Sequence, residues 1–158
     1  MINSINNSGL SEHRKFMKQA LLEAQQAKNA GEIPVGAVVV KNHKIIGKGF
    51  NLVETLHDPT AHAEMMAISA ACATENNKYL TDATIYVTLE PCPMCAGAIV
   101  WSKMKRIVFA AIDENSGACG SLFNVTSNKN LNHQVEMIQG VMEEESKQLL
   151  QQFFQNKR

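Results

Sequence analysis

The run Thr84-Ile85-Tyr86-Val87-Thr88-Leu89 leads straight into Glu90-Pro91-Cys92-Pro93-Met94-Cys95. No other part of the chain restricts the fold as much as this junction. An apolar, strand-like segment stops at a proline, which suits the first turn of a helix but not its interior. The two cysteines therefore fall at the start of a helix. A C-x-x-C by itself fits either redox or metal chemistry. A second stretch, Pro59-Thr60-Ala61-His62-Ala63-Glu64, also reads as a helix start. Together the two read H-x-E…P-C-x-x-C.

The rest of the chain alternates strands and helices. Residues 1–10 read as a loose polar tail. Ser11 is a fitting cap for a helix carrying Phe16, Ala20, Leu21, Ala24 and Ala27 at helical spacing and ending at Gly31. Val35 to Val40 is a near-continuous apolar run, as in a strand covered on both faces. Lys41-Asn42-His43-Lys44 reads as a four-residue hairpin loop, and Ile45 to Asn51 as the returning strand. Gly47 and Gly49 within that strand signal a bulge or the close approach of a ligand or another backbone. A buried helix is expected from about Thr60 to Ala73. Strands are expected at Thr84–Leu89, Arg106–Ala111 and Val135–Ile138. The helix after Pro91 is expected to bury a face including Met94, Ala98 and Trp101. A last helix, Glu143 to Phe154, has Leu149, Leu150, Phe153 and Phe154 on its apolar side. The long polar segment Ile112–His133 is of a length that is often functional. A hairpin followed by β-α-β units predicts a mixed sheet with helices on both faces, within one domain spanning residues 1–158. In such sheets ligands bind beyond the carboxyl ends of strands, where both motif halves lie.

Hydrophobic residues make up 45% of the chain, charged residues 19%, and the formal net charge is zero. This argues against disorder and against an extended nucleic-acid footprint. A compact RNA loop held by a few contacts needs no basic excess. The start of the sequence has neither a basic nor an apolar leader pattern, and no apolar run approaches the ~18 residues of a membrane span. The expectation is a cytoplasmic, reducing setting without membrane partners. There a C-x-x-C serves metal binding or catalysis more often than a disulfide.

His62, Cys92 and Cys95 supply one imidazole and two thiolates, the ligand set of a catalytic zinc with an open fourth position. A helix N-terminus favours the thiolate form. Glu64, two residues from His62, is placed to shuttle protons between an attacking water, a ring nitrogen and a departing amine. That reaction is hydrolytic deamination, and the assignment rests on matching the signature of zinc-dependent nucleobase deaminases. Two other readings stand beside it: a thioredoxin-like redox pair, and a structural zinc closed by a fourth ligand from His57, Cys72 or Cys119. Cys72 also reads as a small core hydrophobe, and His57 as a group that orients the site.

The chain resembles the bacterial tRNA-specific adenosine deaminases of the cytidine deaminase superfamily. The resemblance runs through Glu32-Ile33-Pro34-Val35-Gly36-Ala37-Val38, His57 to Glu64, Asp82 to Cys92, Met94 to Ala98, Gly117 to Leu122, Asn132-His133 and Phe153-Phe154. It implies a three-layer α/β/α fold with a central mixed five-stranded sheet, a homodimer, and one Zn2+ per subunit. The implied reaction converts adenosine to inosine at the wobble position (34) of an arginine tRNA, with the anticodon stem-loop as partner. By position, His62, Cys92 and Cys95 bind zinc and Glu64 is the general acid/base. Asn51 matches a residue that hydrogen-bonds the flipped base. Asp113 and Asn132 match residues at the anticodon loop, and Arg158 a basic residue after the Phe-Phe pair. Phe153 and Phe154 read either as core or as a stacking platform. The chain departs from the family at Asn115, where lysine is common, at Gln155 and Asn156, where basic residues are usual, and at Ala110, where glycine is usual. Its Pro93-Met94 within the cysteine pair occurs in guanine deaminases. Lys103, Lys105, Arg106, Lys129, Lys157 and Arg158 are the candidate phosphate contacts. The rival activity within the superfamily is deamination of guanine, cytosine or a cytidine nucleotide.

Overall fold

Period-two alternation sorts the strand side chains into two cores. In the computed structural model, which describes residues 7–157, the strands are β1 (Gly36–Lys41), β2 (Lys44–Phe50), β3 (Thr84–Leu89), β4 (Arg106–Ala111) and β5 (Glu136–Gln139). The helices are α1 (Asn7–Asn29), α2 (Val53–Leu56), α3 (Ala63–Glu75), α4 (Pro93–Trp101) and α5 (Glu143–Asn156). Ala37, Val39, Ile85, Val87, Ile107 and Phe109 face one way and pack with Ala63, Ala67 and Ala71 of α3 and Ala96, Ile99 and Val100 of α4. Val38, Val40, Tyr86, Val108 and Ala110 face the other way, onto Phe16, Met17 and Ala20 of α1. The last helix, α5, shares that second layer and is tied to α1 by Lys28 Nζ donating to Gln152 Oε1 at 2.9 Å. The result is the expected three-layer α/β/α arrangement about a mixed five-stranded sheet.

Strand order is β2-β1-β3-β4-β5. β1 is antiparallel to both its neighbours, whereas β3, β4 and β5 are mutually parallel. It follows that β2, β3, β4 and β5 all point the same way. Their carboxyl ends, at Phe50, Leu89, Ala111 and Gln139, share one edge of the molecule. β1 begins at that edge. Every loop that leaves a strand there can reach a common site.

Gly47 and Gly49 mark the close approach of another backbone. A Cβ on Gly47 would lie 2.5 Å from Ala67 O and 2.6 Å from Ala71 N, and one on Gly49 2.5 Å from Ala63 O and 2.6 Å from Ala67 N. Ala63, Ala67 and Ala71 recur every four residues on one stripe of α3, and all three are fully buried. A ridge of alanines thus lies in a groove of glycines.

The structure departs from expectation at five points. From Asn7 onward the supposed tail is already α1; residues 1–6 lie outside the described residues. The hairpin loop has two residues, because Lys41 pairs with Lys44. Asn42 and His43 both take positive φ, 52° and 62°, as a tight turn matched to the strand twist requires. The loop after β2 contains the single-turn α2. The helix expected from Thr60 starts at Ala63, because Asp58 Oδ1 accepts from the Thr60 N–H at 2.8 Å and from its hydroxyl at 2.7 Å, which holds a turn ahead of it. The face of α4 also differs. Cys95, Ala96, Ile99 and Val100 are its buried residues, and Trp101 is 77% exposed. A helix that is apolar all round gives periodicity nothing to choose between.

Gly49→Ala tests the α3–β2 contact. Its methyl meets rigid backbone, so we expect a loss of about 1–3 kcal/mol, read by urea unfolding, together with weakened metal retention because α3 carries His62.

Candidate active site

The two motif halves occupy equivalent positions. His62 is the N-cap of α3 (φ −71°, ψ 154°) and Cys92 the N-cap of α4 (φ −71°, ψ 172°). Pro93 fills the first turn of α4, where its missing N–H costs nothing. In both caps the extended residue leaves its side chain free of capping duty. Cys95 then comes one turn into α4, fully buried.

His62 Nδ1 lies 3.6 Å from Cys92 Sγ and 3.5 Å from Cys95 Sγ. Zinc with Zn–S near 2.3 Å and Zn–N near 2.05 Å, at a tetrahedral angle, places N and S about 3.6 Å apart. Both N–S distances therefore match those of a tetrahedral zinc, and the three donors, all within 4.8 Å of one another, leave a fourth position unassigned. Among the described residues this is the one group of three or more His, Cys, Asp or Glu suited to a metal. Neither His57 nor Cys72 nor Cys119 joins it. His57 is an exposed C-cap of α2, Cys119 is buried in the core, and the Cys72 thiol points to Lys78 O at 3.8 Å. Among the described residues a closed structural zinc finds no fourth protein ligand.

Protonation reflects a site built for a cation. The Cys92 thiol is drawn down to about 4 by a hydrogen bond from the Cys95 thiol, aided by His62 and the Cys95 N–H. That same contact with Cys92, together with burial, pushes Cys95 up. His62 is raised by its bond to Cys92. Two sulfurs sharing one site cannot both ionise cheaply until a divalent cation replaces the protons. Glu64 is 4% exposed, and burial raises its carboxyl. A proton carrier is most effective when shifted toward neutrality.

These groups open onto a cavity of about 340 Å³ that includes Asn51, His62, Glu64 and Cys92. The Asn51 amide donates to Ile33 O at 3.3 Å and its Oδ1 accepts from the Val53 N–H at 3.2 Å. An amide has two donors and two acceptor positions, so one of each remains. Asp113 also lines the cavity, but its carboxylate shapes its own loop. Its Oδ1 accepts from the Asn115 and Ser116 N–H groups and its Oδ2 from the Ser116 hydroxyl. Phe153 and Phe154 divide the two readings between them. Phe153 is 6% exposed and Phe154 50%, and both contribute to the cavity wall with Lys157.

Asn132 is elsewhere. Its Oδ1 accepts from Lys103 Nζ at 3.2 Å, beside the start of β4 and hence at the opposite end of the sheet. β5 is parallel to β4, so the chain must travel back along the sheet before entering it, and Asn132 falls at the end of that return. Arg158 lies outside the described residues. Arg106, one of the candidate phosphate contacts, is paired with Glu136 at 2.9 Å.

Two buried acids were not singled out by residue type. Glu32 accepts from the Glu54 and Thr55 N–H groups at 3.0 and 2.8 Å and from the Thr55 hydroxyl at 2.7 Å, capping α2. Glu90 holds the loop after β4. Their signal in the sequence is a lone glutamate one or two residues before a proline, at Glu32-Ile33-Pro34 and Leu89-Glu90-Pro91.

Residues 10–111 match the model of the cytidine and deoxycytidylate deaminase zinc-binding region. The chain belongs to this deaminase family. It is 45% identical over 149 residues to a tRNA-specific adenosine deaminase of Bacillus subtilis, covering 94% of this chain and 92% of that one. It is 48% identical over 143 residues to one from Aquifex aeolicus, covering 90% and 94%. A solved structure from a study of A-to-I editing by tRNA:A34 deaminases superposes with a TM-score of 0.83 at 38% identity, covering 86% of this chain and 99% of that one. A guanine deaminase structure from Bacillus subtilis gives 0.61 at 41% identity, covering 74% and 71%. The family's zinc fits the donor set and spacing found here.

Cys92→Ala should lower bound zinc from one per chain to near zero by metal analysis. Chelation of the wild type should lower its melting temperature, because a ligand held only by the folded state stabilises it.

Proposed function

We propose that this chain is a zinc-dependent tRNA adenosine deaminase that converts adenosine to inosine at the wobble position (34) of an arginine tRNA. The observation that carries this reading is the reach of the likeness to the tRNA enzymes. It takes in 94% of the chain at 45% identity, and the tRNA:A34 deaminase structure superposes with a TM-score of 0.83, against 0.61 for the guanine deaminase of Bacillus subtilis and 0.75 for that of Nitrosomonas europaea, which is 23% identical.

Zinc, when bound, supplies the Lewis acidity that makes water a nucleophile near neutral pH. His62, Cys92 and Cys95 hold it on two helix starts. Glu64 takes a proton from the attacking water, gives one to N1 of the adenine ring and delivers one to the departing amine. The C6–N bond breaks, a C6–O bond forms, and ammonia leaves. The free donor and acceptor of Asn51 orient the base, and the loop bearing Asp113 meets the nucleotides beside it. The cavity admits a base only after it has left its stack, which a loop nucleotide does at low cost. Lys157, on the cavity wall, is the phosphate contact nearest the chemistry.

A second copy of the chain is the proposed partner besides tRNA. Trp101 is 77% exposed, on the α4 face opposite Ala96, Ile99 and Val100. A large exposed aromatic beside half-covered apolar residues is the usual mark of a protein interface. Among the described residues no helix is long and apolar enough to cross a membrane, and a tRNA substrate points to the cytoplasm as the place of action.

Purified protein incubated with an arginine tRNA anticodon stem-loop should yield inosine at the first anticodon position on sequencing. Turnover of guanine or cytosine with no inosine in RNA would overturn the reading. Glu64→Ala should keep zinc and fold while kcat falls by about 10²–10⁴; near-normal turnover would remove Glu64 from the mechanism. Trp101→Lys should shift the species seen by sedimentation from dimer to monomer.

A further inference from the structure

One wall of the cavity comes from the loop after β4, through Asp113 and Ser116. Between β4 and β5 the chain has no helix or strand, only the isolated bridge Cys119–Asn124. Glu90 holds it in shape. Its Oε1 accepts from the Asp113 N–H at 3.2 Å and from the Ser121 hydroxyl, and its Oε2 from the Cys119 N–H at 3.0 Å and the Ser121 N–H at 3.1 Å. A carboxylate offers about four lone-pair sites, and here all four are taken. Glu90 borders the cavity and is 2% exposed, yet it has no acceptor left for a ligand.

The loop itself is cut to fit. A Cβ on Gly117 would lie 2.4 Å from Glu90 Oε2 and 2.4 Å from Asp113 O. Backbone bonds continue the same attachment: the Glu90 N–H donates to Ala111 O and the Ala118 N–H to Pro91 O, both at 2.8 Å. The loop therefore hangs on the two residues that immediately precede Cys92.

We propose that Glu90 is a positioning residue for the RNA substrate, fixing the Asp113–Ser121 loop against the end of β3 so that it meets the nucleotides around the reacting adenosine in one preset form. This rests on the RNA-deaminase reading above. A loop released from Glu90 must be ordered by the substrate, and that cost falls on binding. The triad and Glu64 make none of these bonds, so the chemical step is spared. A glutamine cannot stand in, because its NH2 would face N–H donors.

The test uses the zinc-loaded full chain with Glu90→Gln and, reaching the same clamp from the other side, Gly117→Ala. Zinc content, kcat and KM are measured on an anticodon stem-loop RNA. Each variant should raise KM about tenfold or more, keep one zinc per chain and hold kcat within about threefold. The double variant should be no worse than the worse single one, because both break one unit. In Glu90→Gln the Cys119 and Ser121 amides should exchange hydrogen faster. Unchanged KM, a fall in kcat at constant KM, or loss of zinc or of cooperative melting in both variants would overturn the proposal. Wild-type protein that forms no inosine in this RNA overturns the RNA reading itself, a result distinct from all of these.

Discussion

The distance between α3 and β2 governs this structure. At Gly47 and Gly49 the helix backbone comes so close that a single methyl group would have to sit about 2.5 Å from its carbonyl oxygens. Interiors packed to crystal density transmit such a misfit instead of absorbing it. The height of α3 over the sheet therefore sets where its first turn begins, and with it where His62 and Glu64 stand. The cysteines come from another element, α4, at the end of β3. That His62 Nδ1 lies 3.5 to 3.6 Å from both sulfurs is a statement about how two helices are seated on one sheet.

Strand direction supplies the second constraint. With only β1 reversed, four strands deliver their outgoing loops to one edge. Loops carry unpaired backbone N–H groups, and near a cavity these need acceptors. Glu32 and Glu90 provide them, each receiving hydrogen bonds from consecutive or nearby backbone amides. Burying a carboxylate is expensive unless donors surround it. Here that requirement makes each acid a rigid anchor: Glu32 for the turn beside Asn51, Glu90 for the loop beside Asp113.

Much of this was legible in the residues. Continuous apolar runs such as Ile107-Val108-Phe109 declared strands, and H-x-E with P-C-x-x-C declared the donor set. Gly47 and Gly49 signalled a bulge or a close approach, and both occur: the strand register shifts beside Gly47, and the backbone of α3 lies against both glycines. The features that escaped have physical reasons. Pro93-Met94-Cys95-Ala96-Gly97-Ala98-Ile99-Val100-Trp101 is apolar on every side, so its buried face is decided by the sheet beneath and not by its own pattern. The two-residue turn at Asn42-His43 lacks the glycine that usually announces it. Glu90 looks like any acid until the fold brings Asp113, Cys119 and Ser121 to it from more than twenty residues away. Asn132 is carried to the far end of the sheet because β5 must start there to run parallel to β4.

The neutral charge bears on how RNA is held. With 15 basic and 15 acidic residues, a strong field from the whole molecule is not available to gather a polyanion. Some of the cations are already engaged: Arg106 with Glu136, Lys147 with Glu143, and Lys103 with Asn132. Lys157 is different. It stands on the cavity wall, 4.6 Å over the Phe153 ring, where the aromatic face steadies the ammonium without consuming its charge. Phosphate attraction alone brings affinity without selectivity. A site with few free cations, preformed walls and a buried acid must instead select by which base can leave its stack and fit the cavity. That favours an exposed loop nucleotide over a paired one, and it is the discrimination a tRNA-editing enzyme needs.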